Sequence, residues 1–139
     1  IKDALDNRVL DDKVLVVDEV HNIRISDDNK NKQIAKNLMQ LVKNVDGIRL
    51  LLLSATPMYN SYKEIIWLLN LMNANDGRST VSIQDVFTET GRFKISRSGE
   101  IVGKELLIKK ARGYISYVRG DNPYTFPTSL TADFDLMKT

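Results

Sequence analysis

With 139 residues, 42% of them hydrophobic and 27% charged, the chain has the make-up of one ordinary globular domain, and no apolar run approaches the roughly 20 residues of a membrane-spanning helix. The absence of cysteine excludes a disulfide scaffold, a thiolate metal site and a cysteine nucleophile, and it fits a reducing, intracellular compartment. The single histidine, His21, excludes a multi-histidine metal cluster. The net charge of +2 hides an asymmetry: 11 Lys and Arg stand against 12 Asp and Glu between Ile1 and Val86, whereas Arg92 to Arg119 holds eight basic residues against Glu100 and Glu105.

In chain order, Lys13-Val14-Leu15-Val16-Val17 is rich in β-branched residues and does not alternate, which predicts a strand buried on both faces. It ends in Asp18-Glu19-Val20-His21. After a polar loop, Ile34, Leu38, Leu41 and Val45 recur at helical spacing, and Gly47 sits where that helix would stop. Ile48 to Leu53 predicts a second doubly buried strand, ending in Ser54-Ala55-Thr56-Pro57. Ser61 and Glu64 form a capping-box pair ahead of a helix whose stripe is Ile65, Leu68, Leu69 and Met72. Further on, Asn75-Asp76-Gly77 is a turn, Ser82 caps a short helix running to Phe87, and Gly91 to Gly103 is a polar loop or loose hairpin. Glu105 to Tyr117 reads as a helix with an irregular stripe, and Asp121-Asn122-Pro123 and Phe126-Pro127 break regular structure.

Two buried strands separated by a helix-length segment are the signature of a parallel α/β sheet, in which chemistry sits at the carboxyl ends of the strands. Both polar tetrads fall at those ends. An aspartate held at a strand end can position Mg²⁺ against nucleotide phosphates while the next carboxylate deprotonates the attacking water, which makes Asp18 the metal residue and Glu19 the base. An acidic pair after a strand also occurs as a plain solvated turn, and a lone histidine such as His21 is commonly structural. Ser54 and Thr56 place two hydroxyls within reach of the first tetrad, or else simply cap a strand end ahead of Pro57. Trp67 and the Leu68-Leu69-Met72 stripe read as core rather than as a base-stacking platform.

Leu15 to His21 resembles motif II, the DExH form of the Walker B element, of superfamily 2 helicases and translocases, and Ser54-Ala55-Thr56-Pro57 resembles their motif III. Pro57-Met58-Tyr59-Asn60, followed by Glu64 and Leu68-Leu69-Asn70, is similar to the corresponding stretch of Snf2-like translocases. Arg112 to Gly120, continuing through Asn122-Pro123 and Tyr124 to Pro127, resembles a segment of helicase-like ATPases of large DNA viruses, a group that includes the poxvirus-type early transcription factor small subunit and nucleoside triphosphatase. The resemblance implies an α/β fold, the later half of a RecA-like P-loop NTPase lobe over residues 1–73. It further implies a basic, mainly helical segment packed on the lobe over 74–120, and an extended linker toward a second lobe over 121–139. It implies ATP and Mg²⁺ as cofactors, with Asp18 holding the ion through water, Glu19 activating water, His21 coupling the nucleotide site to the partner lobe, and Ser54 and Thr56 linking hydrolysis to strand movement. The implied partners are nucleic acid, DNA before RNA, and subunits of a viral RNA polymerase or transcription factor, with no membrane. For a viral protein the implied location is the virion and host cytoplasm.

The chain departs from that pattern in two respects: no glycine precedes Gly47, so no phosphate loop is present, and the second RecA-like lobe with its arginine finger, expected after Pro127, is missing as well. With Ile1 in place of a methionine, the expectation is a fragment of a longer protein, inactive on its own and poorly stable. A non-hydrolysing nucleic-acid-binding or assembly module derived from the same lobe is the alternative, against which the intact Asp18-Glu19 pair argues. Within the basic segment, Lys109, Lys110, Arg112 and Arg119 are the expected contacts to a nucleic-acid backbone; a solvated helix face is the competing reading of the same residues.

Overall fold

The computed structural model describes residues 8–23, 29–58 and 61–117. Arg119, the pair Tyr59-Asn60 and the expected linker over 121–139 lie outside the described residues. Strand β1 (Val14–Val17) pairs in parallel with β2 (Arg49–Leu52), Val14 opposite Arg49 and Val17 opposite Leu52. Helix α1 (Asn29–Asn44) makes the crossover that a parallel pair requires. Helices α2 (Lys63–Asn75), α3 (Ile83–Val86) and α4 (Val102–Ala111) follow.

The parallel α/β expectation holds at this level, but the two strands are not buried on both faces. Leu15, Val17, Leu50 and Leu52 are half-buried, and Val17, Leu50 and Leu52 pack with Val20, Ala35, Val42, Trp67, Leu68 and Leu71 in the main core. On the opposite face Val14 is 62%, Val16 52%, Leu51 48% and Leu53 42% exposed. Among the described residues, α1 and α2 both serve the first face, so an unbroken apolar run becomes an alternating exposure pattern. In α1 the core side is Ala35, Leu38, Met39 and Val42, and Ile34, expected in the stripe, lies 40% exposed. Gly47 ends that segment at φ 64°, and a Cβ there would overlap the carboxylate of Asp12.

Helix α2 is buried on two sides because a second cluster, Ile66, Val86 and Phe87 with Tyr62, Ile65, Phe93, Leu106 and Leu107, packs against the side turned away from the sheet. Trp67 is core, as expected. The predicted capping box at its start is not formed. Ser61 Oγ accepts from the Lys63 amide at 3.2 Å while the Glu64 amide goes to the Ser61 carbonyl, because Tyr62 already has helical dihedrals and the hydroxyl closes a two-residue turn. The box appears instead at α3, where the Ser82 amide donates to Asp85 Oδ2 at 2.7 Å; that hydrogen bond holds the Asp85 carboxyl below its usual range.

The 91–103 loop is anchored by an antiparallel bridge between Phe87 and Phe93, whose rings stack at 5.3 Å. Helix α4 begins at Val102 rather than at Glu105 and ends at Ala111, short of the expected Tyr117, because Arg112 is extended and Gly113 takes φ 89°. Its amino end comes so close to Val86 and Lys94 that only glycine fits at 103: a Cβ there would meet the Val86 carbonyl and lie 2.7 Å from the Lys94 amide nitrogen.

Buried polar bonds tie this helical end to α2. Asn70 donates to the Val81 carbonyl at 2.7 Å and accepts from its amide at 2.9 Å. Asn73, fully buried, donates to the carbonyls of Leu69 and Lys110 at 2.8 and 3.0 Å. Lys110 is itself buried, its ammonium bonded to the Ser79 carbonyl and to Ser79 Oγ.

Candidate functional site

The hydrogen bonding between β1 and β2 continues past both strand ends. The Leu53 amide donates to the Val17 carbonyl at 2.9 Å, and the Val20 amide to the Leu53 carbonyl at 3.0 Å. Val20, 2% exposed, drops into the core and starts a 3₁₀ turn over Val20–Asn22, so the chain must reverse direction between Val17 and Val20. Glu19 takes up that reversal in the left-handed region, φ 49° and ψ 46°, a conformation that non-glycine residues occupy only when their surroundings impose it. Its amide donates to Asp18 Oδ1 at 2.8 Å. The turn thus leaves Asp18 and Glu19 exposed on the carboxyl end of the sheet, on a backbone fixed from both sides.

His21 joins the two tetrads. Its Nδ1 lies 3.0 Å from Ser54 Oγ and 3.2 Å from Glu19 Oε2, with the ring side chain 16% exposed. An ionised carboxylate only accepts hydrogen bonds, so this contact places the proton on Nδ1, shared between Glu19 and Ser54. Ser54 Oγ in turn accepts the Thr56 amide at 3.0 Å. A chain of contacts therefore runs from Glu19 through His21 and Ser54 to the backbone of Thr56, across residues 33 positions apart in sequence. The Thr56 hydroxyl is exposed, and only its amide enters the chain.

Among the described residues no group of three or more His, Asp or Glu side chains is gathered as a metal cage. A single exposed carboxylate at a strand end nevertheless fits Mg²⁺, which keeps most of its water and takes one or two carboxylates plus substrate phosphates.

The expected basic contacts separate. Lys109 and Arg112 are exposed near the end of α4. Lys110 corrects the expectation: it points inward and its ammonium is hydrogen-bonded to Ser79, so it is a brace for the fold and not part of the basic surface. Beside Lys109 and Arg112 stands Arg78, which no sequence pattern singled out. It follows the Asp76-Gly77 turn, donates to Tyr114 Oη at 3.1 Å and to the Lys109 carbonyl at 3.3 Å, and lies over the Tyr114 ring at 5.3 Å. Tyr114 donates to Asp76 Oδ2 at 2.6 Å, and partial burial together with that bond pushes its phenol above the ordinary range.

Comparison with known proteins places this geometry in a family. An ATP-dependent RNA helicase, so named, of Acanthamoeba polyphaga mimivirus is 34% identical over 118 residues, covering 84% of this chain and 9% of that protein. A second protein of that name from the same virus is 29% identical over 140 residues, covering 94% of the chain and 23% of the relative. A protein named as a helicase in Frog virus 3 is 31% identical over 111 residues, covering 79% and 10%. The chain thus spans a quarter or less of the length of these relatives. No solved structure gives a significant match. Residues 2–110 match the model of the SNF2-related domain, and the chain belongs to that family, the Snf2-like branch of superfamily 2, with relatives in large DNA viruses.

Proposed function

We propose that this chain carries the hydrolytic and coupling residues of an ATP-driven nucleic-acid helicase or translocase, within the later half of a RecA-like lobe. The observation that supports this best is the pairing of an exposed Asp18-Glu19 turn at the end of β1 with a His21–Ser54 contact at the end of the neighbouring strand. In this reading Asp18 holds Mg²⁺ through water, and the ion would neutralise charge on the nucleotide phosphates. Glu19 orients the attacking water and takes its proton on a carboxylate oxygen. His21 holds that carboxylate by its Nδ1 proton, so the base is pre-positioned by the same ring that reads Ser54. Any displacement of the β2 end is then felt at Glu19, the physical basis on which Ser54 and Thr56 would link hydrolysis to movement.

The names of the mimivirus and Frog virus 3 relatives support ATP use and helicase action. The resemblance to poxvirus-type proteins supports the finer version: motion along DNA linked to transcription, beside subunits of a viral RNA polymerase or transcription factor, in the virion and host cytoplasm. Exposed Lys109 and Arg112 would contact the backbone of the nucleic acid. The decisive variant is Glu19→Gln in the full-length protein. It keeps the shape of the side chain and removes the base, so turnover should fall at least about a hundredfold while nucleotide binding persists; near-normal turnover in a steady-state ATPase assay would refute the assignment.

A further inference from the structure

We infer that the groove between the exit of α2 and the last turn of α4 is a phosphodiester-binding site, with Arg78 as its anchoring residue. The inference rests on the helicase reading above and adds a residue and a place to it. Arg78, Lys109 and Arg112, together with Glu105 and Ile108, line a groove of 540 Å³. The cations come from two stretches of chain separated by 31 positions, so helix periodicity alone does not account for their convergence.

Charge bookkeeping in the groove points to an anionic ligand. Glu105 stands four residues before Lys109, a spacing that permits an ion pair, yet among the described residues none of the three cations makes a salt bridge, with Glu105 or with any other carboxylate. Three cations around one groove repel each other, and an anion is what relieves that repulsion. The Arg78 guanidinium is held in place beforehand. Tyr114 Oη and the Lys109 carbonyl take two of its five N–H donors, the Tyr114 ring backs one face, and Asp76 fixes the tyrosine. A fixed planar fork loses little side-chain freedom on binding and matches the paired oxygens of a phosphate. Lys109 and Arg112 also favour the negative end of the α4 dipole, and Arg78 caps the Lys109 carbonyl of its last turn from outside the helix; that bond and the one to Tyr114 leave the remaining guanidinium donors for a ligand.

The test is binding of a DNA duplex and an RNA single strand by the full-length protein across a salt series, with Arg78→Gln and Arg112→Gln. The Arg112 side chain makes no hydrogen bond or ion pair among the described residues, so its removal leaves the fold intact. Each substitution should weaken binding several-fold and lower the slope of log affinity against log salt by about 0.9 on the duplex or about 0.7 on the single strand, whatever the base sequence. Unchanged affinity and slope in both variants, with the parent protein still binding, overturns the groove and leaves the helicase reading standing. No binding by the parent protein overturns both. Inorganic phosphate separates the possible sources of the anion: loss of inorganic phosphate binding in Arg78→Gln with nucleic-acid affinity and salt slope unchanged would assign the groove to free phosphate and overturn the backbone assignment.

Discussion

At the sheet end of the molecule, Val14, Val16, Leu51 and Leu53 stand roughly half-exposed, and the proposed hydrolytic residues sit on a turn with a left-handed glutamate. At the helical end, two polar side chains, Asn73 and Lys110, are buried and hydrogen-bonded across elements far apart in sequence. The usual distribution is inverted: apolar groups face outward beside the proposed hydrolytic turn, and polar groups face inward at the helical end. A parallel sheet is normally covered on both faces, whereas among the described residues one face of this sheet is left uncovered. At the helical end the donors of Asn73 and Lys110 are satisfied across elements, while Asn73 Oδ1 and Asn75 Oδ1 are buried without a partner.

The largest effect is expected at Gly103, where α4 meets Val86 and Lys94. Gly103→Val forces a side chain into the Val86 carbonyl and the Lys94 amide and should cost about 3 kcal/mol, the upper end of overpacking losses, read as a shift in urea midpoint. Next comes Lys110→Met, which keeps the stem and removes the donor to Ser79; about 2 kcal/mol should be lost. If Lys110 were instead part of the basic surface, stability would hold and nucleic-acid affinity would fall. A smaller effect concerns Tyr114. Its folded phenol titrates above its unfolded value near 10, so the stability it contributes is present below that pH and is lost as pH rises through the folded pKa. Alkaline titration followed at the tyrosinate absorbance should show one residue ionising late, together with loosening of α4. Smallest of all is Val16→Thr on the bare face. Stability should change by less than about 0.5 kcal/mol, while light scattering should show reduced self-association.

Much of the sheet end was legible because it rests on local signals. Apolar runs, a helical period between them and polar tetrads at their ends locate β1, α1, β2 and the Asp18-Glu19 turn without tertiary information. The sidedness of the sheet was not legible, since four consecutive apolar residues carry no period and which face is covered depends on where α1 and α2 land. The helical end was read less well for a related reason. Lys109 and Lys110 look alike in sequence, and only the rotation of α4 against α2 sends one outward and the other to Ser79. Arg78 was missed because its role depends on Tyr114 and Lys109, more than 30 positions away. The His21–Ser54 contact was anticipated as plausible reach between neighbouring strand ends, but the shared Nδ1 proton and the left-handed Glu19 belong to three-dimensional detail.

The backbone of Glu19 has one last consequence. A left-handed turn favours glycine, so at position 19 folding and the proposed chemistry ask for different residues. Glycine there would relax the turn and delete the carboxylate in a single step, giving a chain easier to fold and without the proposed base. The glutamate is therefore held against the grain of its own backbone, and its worth to the protein has to be sought in what its side chain does.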